Sequence, residues 1–210
     1  MQAFDWQKDI RWCLTQEGPV FPKLVQSLEA HYSRAVGDVL AMKARDNKTA
    51  KGSLWEDFCV LYLEAQGKYV NVWKYPSVPK EIRESLHLKG RQDNGIDLIL
   101  QTKTGYIAVQ CKYRKKGRIS WFCLSTFVAL CLSSGPYESH LLMTNTIGGT
   151  YKVQRSPKDK TYAVGTFNRT KREVWMRMGG VEAEGRKVGS EEPKPKTAEE
   201  LREARLKRFG

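Results

Sequence analysis

Long hydrophobic runs are missing from this 210-residue sequence: no stretch of eighteen apolar residues occurs, which excludes a membrane-spanning helix. The opening MQAFDWQKDIRW lacks a basic segment followed by an apolar one, so no signal peptide is expected. Histidine is scarce, and His31, His87 and His140 lie too far apart to form a ligand pattern with the cysteines. Those cysteines (Cys13, Cys59, Cys111, Cys123 and Cys131) are odd in number and include no CxxC pair. They are expected to be small buried hydrophobes, which argues against both a disulfide framework and a zinc site. An intracellular, reducing compartment, cytoplasm or nucleus, is the expected location. Acidic residues are also in short supply, with 23 Asp and Glu against 36 Lys and Arg.

That imbalance leaves a net charge of +13 and an isoelectric point near 9.6, which makes a polyanion the expected partner. A membrane surface fits less well, because the basic residues are not confined to one face of an amphipathic helix. Hydrophobic content of 40% and a charged fraction of 28% are those of a soluble globular protein with one core domain.

Three segments are expected. Residues 1–50 form an N-terminal helical extension, in which Leu24, Leu28, Tyr32, Val36 and Leu40 make one stripe. A polar link, DNKTAKGS (46–53), places Ser53 as a helix N-cap, and residues 51–178 form the main domain. Within it LWEDFCVLYLEAQG is a helix closed by Gly67, and KYVNVWKY (68–75) is a strand. A long polar loop with room for one helical turn follows. ISWFCLSTFVALCLSSG (119–135) is an apolar helix closed by Gly135, and SHLLMTNT (139–146) is a buried strand. TYAVGT and REVWMRM, on either side of FNRTK, suggest a further hairpin. Residues 179–210 are charged, poor in large apolar side chains and expected to be a mobile tail.

The chemistry is concentrated in NGIDLILQTKTGYIAVQCKYRKK, residues 94–116. With TKTG as the turn, Gln101 faces Tyr106, Ile99 faces Ala108, and Asp97 faces Gln110. Alternation then puts Asp97, Gln110 and Lys112 on one face, and Leu98, Leu100, Ile107, Val109 and Cys111 on the other, toward the core. Taken singly, Asp97 could cap the strand entry, and Gln110 and Lys112 could be ordinary outward-facing residues. Their shared face favours a site. Directly paired positions have Cβ atoms roughly 5 Å apart, close enough for two oxygens to hold one small cation with a lysine beside it. Such a group can hold a divalent metal against a phosphate and activate a water. Glu56, on the preceding helix, could supply a further carboxylate.

The order of a Glu-bearing helix, a strand, GIDLIL, AVQCKYR, a helix and LLMTNT resembles the PD-(D/E)xK nuclease superfamily, in particular its Mrr-like restriction endonuclease branch, where Q-x-K is a familiar variant. Archaeal Holliday-junction resolvases share this core. The resemblance covers about residues 51–146. It implies an α/β, restriction-endonuclease-like αβββαβ core with a central mixed sheet flanked by helices. It further implies that Asp97 binds metal, Gln110 takes the second acidic position, and the carbonyl of Cys111 and Glu56 are further ligands. Lys112 would be the catalytic lysine, Mg²⁺ or Mn²⁺ the cofactor, and phosphodiester hydrolysis the reaction. Two departures stand out: Gln110 is neutral, and NGID replaces the proline-aspartate of the name.

KYRKKGR (112–118) runs on from this site, so Arg114, Lys115, Lys116 and Arg118 are candidate phosphate contacts. Ser120 and Trp121 open the expected helix, Ser120 as a phosphate contact and Trp121 as packing. Lys89 and Arg91, on the loop before Asp97, and Lys152 and Arg155, after TNTIGGT, extend the basic track. DNA, duplex or branched, is the implied substrate of a restriction-type or structure-specific endonuclease, with a homodimer or a helicase or repair protein as a further partner. A non-catalytic nucleic-acid-binding module and an RNA endonuclease are the alternatives.

Overall fold

The computed structural model describes residues 4–34, 47–90, 95–114, 117–147 and 159–181. Among these residues, helices α1 (Trp6–Thr15), α2 (Val20–Arg34) and α3 (Asn47–Ala65) come first. Strand β1 (Asn71–Lys74) follows, then a 3-10 turn (Tyr75–Ser77) and the short α4 (Lys80–Ser85). The hairpin β2 (Leu98–Gln101) and β3 (Tyr106–Lys112) leads to a second 3-10 turn (Trp121–Cys123) and α5 (Ser125–Ser133). After β4 (Ser139–Thr144) come β5 (Asp159–Tyr162), α6 (Val164–Asn168) and α7 (Arg172–Met178).

The five strands form one mixed sheet in the order β1-β2-β3-β4-β5. The β1–β2 and β2–β3 pairs are antiparallel, and the β3–β4 and β4–β5 pairs are parallel. The hairpin register is the one expected, with Gln101 opposite Tyr106 and Ile99 opposite Ala108. Helices cover both faces. Leu98, Leu100, Ile107, Val109 and Cys111 pack with residues of α1, α2, α3, α6 and α7 in the larger core. Ile99 and Ala108, pointing the other way, meet Phe127 and Cys131 of α5 and the α4 loop. The expected polar face is therefore apolar at Ile99 and Ala108, between the group of Asp97, Gln110 and Lys112 and the polar Gln101 at the far end of the hairpin. Four of the five cysteines are buried and all are free. Among the described residues no helix is long and apolar enough to cross a membrane.

The N-terminal helices share the core of the sheet. Leu24 and Leu28 are fully buried there, as are Ile10 and Cys13. Trp6 donates its indole N–H to the Leu54 carbonyl at 2.9 Å. From the far end of the chain, Arg172 donates to the Leu14 carbonyl at 3.1 Å, and Arg11 donates to the Gly179 carbonyl at 2.8 Å. Helix α3 runs across position 50, where sequence composition suggested a boundary.

Several expectations change. The 46–53 link is largely helix, and Ser53 sits inside α3, where Lys51 of its early turns pairs with Glu29 of α2 at 2.6 Å. Tertiary pairing extends this helix through Gly52, against that residue's weak helical preference. Its far end behaves as expected: Gly67 takes a left-handed φ of +64° and its N–H caps the Glu64 carbonyl. The 119–135 helix is split, with a 3-10 turn before an α-helix that begins only at Ser125. The hairpin expected at 161–178 is a short strand and two helices, with Phe167, Trp175 and Met178 buried. Val36, Leu40 and residues 182–210 of the expected tail lie outside the described residues.

Candidate active site

Asp97 enters β2 with its main chain held on both sides. Its N–H donates to the Val109 carbonyl at 2.9 Å, and its carbonyl accepts from the Tyr75 N–H at 2.8 Å. The preceding loop runs tight against α5: Gly95, at φ +129°, would bring a Cβ to within 3.4 Å of Thr126, Leu130 and the Phe127 nitrogen. Glycine is needed there for the angle, which other residues rarely adopt.

Asp97 and Gln110 are 6% and 2% exposed, two of the few polar residues inside the molecule. The expected cross-strand pairing is present, but through a nitrogen. Gln110 donates Nε2–H to Asp97 Oδ2, and the Cys111 main-chain N–H donates to the same oxygen. Half a turn of the amide would present Oε1 in place of Nε2. Lys112 ends β3 beside Thr144 of β4, half-buried, and makes no ion pair among the described residues.

Glu56 stands on α3, the helix that packs against the other face of the sheet. Its neighbour one turn on, Cys59, is buried in the same core cluster as Cys111. Burial pushes the Cys111 thiol well above its ordinary value, and the negative charges of Asp97 and Glu56 push it further. The same causes raise Cys59. Asp97 and Gln110 are in contact, with Lys112 two residues on along β3, whereas Glu56 belongs to α3, packed against the core face of the sheet. Among the described residues no group of three or more His, Cys, Asp and Glu forms a metal cluster, so a cation here would need the Gln110 amide or main-chain oxygens.

The basic candidates divide. Arg114 is exposed and its main chain is clamped: its N–H donates to Asn145 Oδ1 at 2.7 Å and its carbonyl accepts from Asn145 Nδ2 at 2.8 Å. Its guanidinium donates to Cys123 Sγ at 2.8 Å. Ser120 lies 3.3 Å from the same sulfur, ahead of the 3-10 turn and five residues short of α5. The Ser120 hydroxyl and the Arg114 charge hold the Cys123 thiol below its ordinary value. Arg118 is exposed, and Lys89, also exposed, connects to the site through Tyr75, whose hydroxyl donates to the Lys89 carbonyl at 3.0 Å. Arg91, Lys115, Lys116, Lys152 and Arg155 lie outside the described residues. Trp121, expected as packing, is 44% exposed.

Two features escape a sequence reading. Asn145, inside the TNT segment, pins the chain just after Lys112. Tyr113 donates its hydroxyl to Glu29 of α2, and Lys51 of α3 grips the other oxygen of that carboxylate. None of these contacts leaves a periodic trace, since each joins residues over 20 positions apart.

No curated protein matches the chain significantly. Among solved structures, an ATP-dependent Type ISP restriction-modification enzyme, LlaBIII, bound to DNA, aligns at a TM-score of 0.46 and 18% identity over 59% of this chain. The chain spans 8% of that enzyme's length. The profile of the Mrr-type restriction endonucleases matches residues 63–171, which include Asp97, Gln110 and Lys112 and follow Glu56. A mixed five-stranded sheet between helices, with those three polar residues gathered at one place on it, accompanies that match over just over half of its length, and the chain belongs to the Mrr-type restriction endonuclease family.

Proposed function

We propose that the protein is a metal-dependent DNA endonuclease, with DNA held by the basic residues beyond β3. The observation that carries this is the buried Asp97–Gln110 contact, with Lys112 two residues on along the same face of β3. The donors suit a hard cation: the Asp97 carboxylate, the Gln110 amide oxygen after rotation, the Glu56 carboxylate and the Cys111 carbonyl would hold Mg²⁺ or Mn²⁺. A cation bound there supplies Lewis acidity toward a phosphate and lowers the pKa of a bound water.

The chain's own groups do the rest. Lys112 offers a positive charge to the oxygens of a phosphodiester as negative charge builds on them, and its Nζ can pass a proton to or from water. Arg114 and Arg118 neutralise neighbouring phosphates and set the register of the strand. Asn145 fixes the main chain at Arg114, so those contacts are made from a held segment. Hydrolysis adds water's oxygen to phosphorus, and the phosphorus–oxygen bond to one sugar breaks.

The test is a cleavage assay on supercoiled plasmid and branched DNA with Mg²⁺ or Mn²⁺, comparing the wild type with Asp97→Ala and Lys112→Ala. Each variant is expected to lose about 100-fold or more in rate while still binding DNA. Nicking that survives both substitutions, or DNA binding with no metal-dependent nicking, overturns the proposal. An RNA of the same sequence, cut faster than the DNA, would reassign the substrate.

A further inference from the structure

Resting on that reading, we infer that the exposed aromatic turn Trp121–Phe122 stacks on unpaired or unstacked bases of the nucleic acid beside the cleavage site. Phe122 is 87% exposed and Trp121 44%, although both are large apolar side chains. Their turn is not loose. Ile119 and Leu124, on either side of it, are buried at 0% and 2% against Leu142 of β4. Leu142 is the β4 partner of Gln110, so the anchor stands on the strand next to the candidate site and on the same face as Asp97. Arg114 joins the turn to the end of β3 through Cys123. Rigid anchoring with two rings turned outward is the arrangement a stacking platform needs, because the cost of ordering the rings is met before any ligand arrives.

Charge identifies the occupant. From Lys112 to Arg118, just ahead of the turn, the sequence holds five lysines and arginines and no acidic residue. An apolar turn in that setting suits a polyanion that carries flat, apolar faces, which a nucleic acid with disrupted base stacking does. A fully paired duplex buries those faces, so the turn confers preference for distorted or branched substrates. Phosphate contacts from Arg114 make no such distinction.

The full-length protein is titrated, in EDTA, against a duplex and the same duplex with a central unpaired stretch carrying 2-aminopurine. Wild type is expected to bind the second more tightly and quench the probe. Phe122→Ala and Phe122→Leu are expected to weaken binding to the unpaired substrate by about tenfold and duplex binding by less than about twofold, while Phe122→Tyr retains affinity. Arg118→Ala, which removes an exposed charge without touching the Arg114–Cys123 tether, is expected to weaken both alike. Equal effects of Phe122→Ala on the two DNAs, or none, overturn the inference. So does a dimer that becomes monomeric in Phe122→Ala with DNA affinity unchanged, which would assign the turn to self-association. Because no divalent metal is present, base preference without cleavage under Mg²⁺ would overturn the nuclease reading and leave this one standing.

Discussion

The hydroxyl of Tyr113 donates to the carboxylate of Glu29, so the residue that follows Lys112 is held by a helix more than 80 positions earlier. Lys51 takes the other carboxylate oxygen at 2.6 Å, and three elements meet at the exit of β3.

Burial, then the Glu29 contact, pushes the Tyr113 phenol far above its ordinary value. A group whose pKa is raised on folding stabilises the protein below its unfolded value and loses that contribution as pH rises toward the folded one. Wild type should therefore lose stability above about pH 10 more steeply than Tyr113→Phe, by up to about 1.4 kcal/mol per pH unit. Urea unfolding across pH 9 to 11 measures the difference; parallel curves would mean that the phenol titrates freely.

Gln110→Glu sets a second carboxylate against Asp97 in a place only 2% exposed. Without metal the pair repels and the donated hydrogen bond is lost, for a fall in melting temperature of about 5 °C at pH 8. Adding Mg²⁺ or Mn²⁺ should restore the loss and bind more tightly than to wild type. A melting temperature indifferent to divalent metal in both proteins would count against a cation between these residues.

Leu28→Ala tests how far the N-terminal helices belong to the nuclease core. Leu28 is fully buried in the cluster that includes Val109 and Cys111. Its truncation should cost about 2–5 kcal/mol in urea unfolding. A loss below about 1 kcal/mol would show α2 to be only loosely applied.

Arg114→Ala should remove one phosphate contact and reduce the slope of log affinity against log salt concentration by about one. Asn145→Ala should have a smaller effect on that slope and instead speed hydrogen exchange at the Arg114 amide, whose acceptor it removes.

The hairpin was legible because strict alternation and the TKTG turn leave one register that buries the apolar set, and that register also paired Asp97 with Gln110. The 3.6-residue spacing of Leu24 and Leu28 likewise marked α2. The last two helices were not legible: β-branched and aromatic content in TYAVGT and REVWMRM imitates strands, and only the i, i+3 spacing of Trp175 and Met178 carries the helical period. Ser53 misled because a serine before an apolar run resembles a cap, whereas contact with α2 lets α3 start at Asn47. That α3, which carries Glu56, packs on the face opposite Gln110 is a matter of layer order that no local pattern encodes.

The pairing of Arg11 with Gly179 and of Arg172 with Leu14 has a consequence for synthesis. On the ribosome, α7 emerges about 160 residues after α1, roughly ten to thirty seconds at ordinary elongation rates. Through that interval Ile10 and Cys13 lack part of the cover that closes over them. A nascent chain therefore closes the core over α1 only after α7 has been translated.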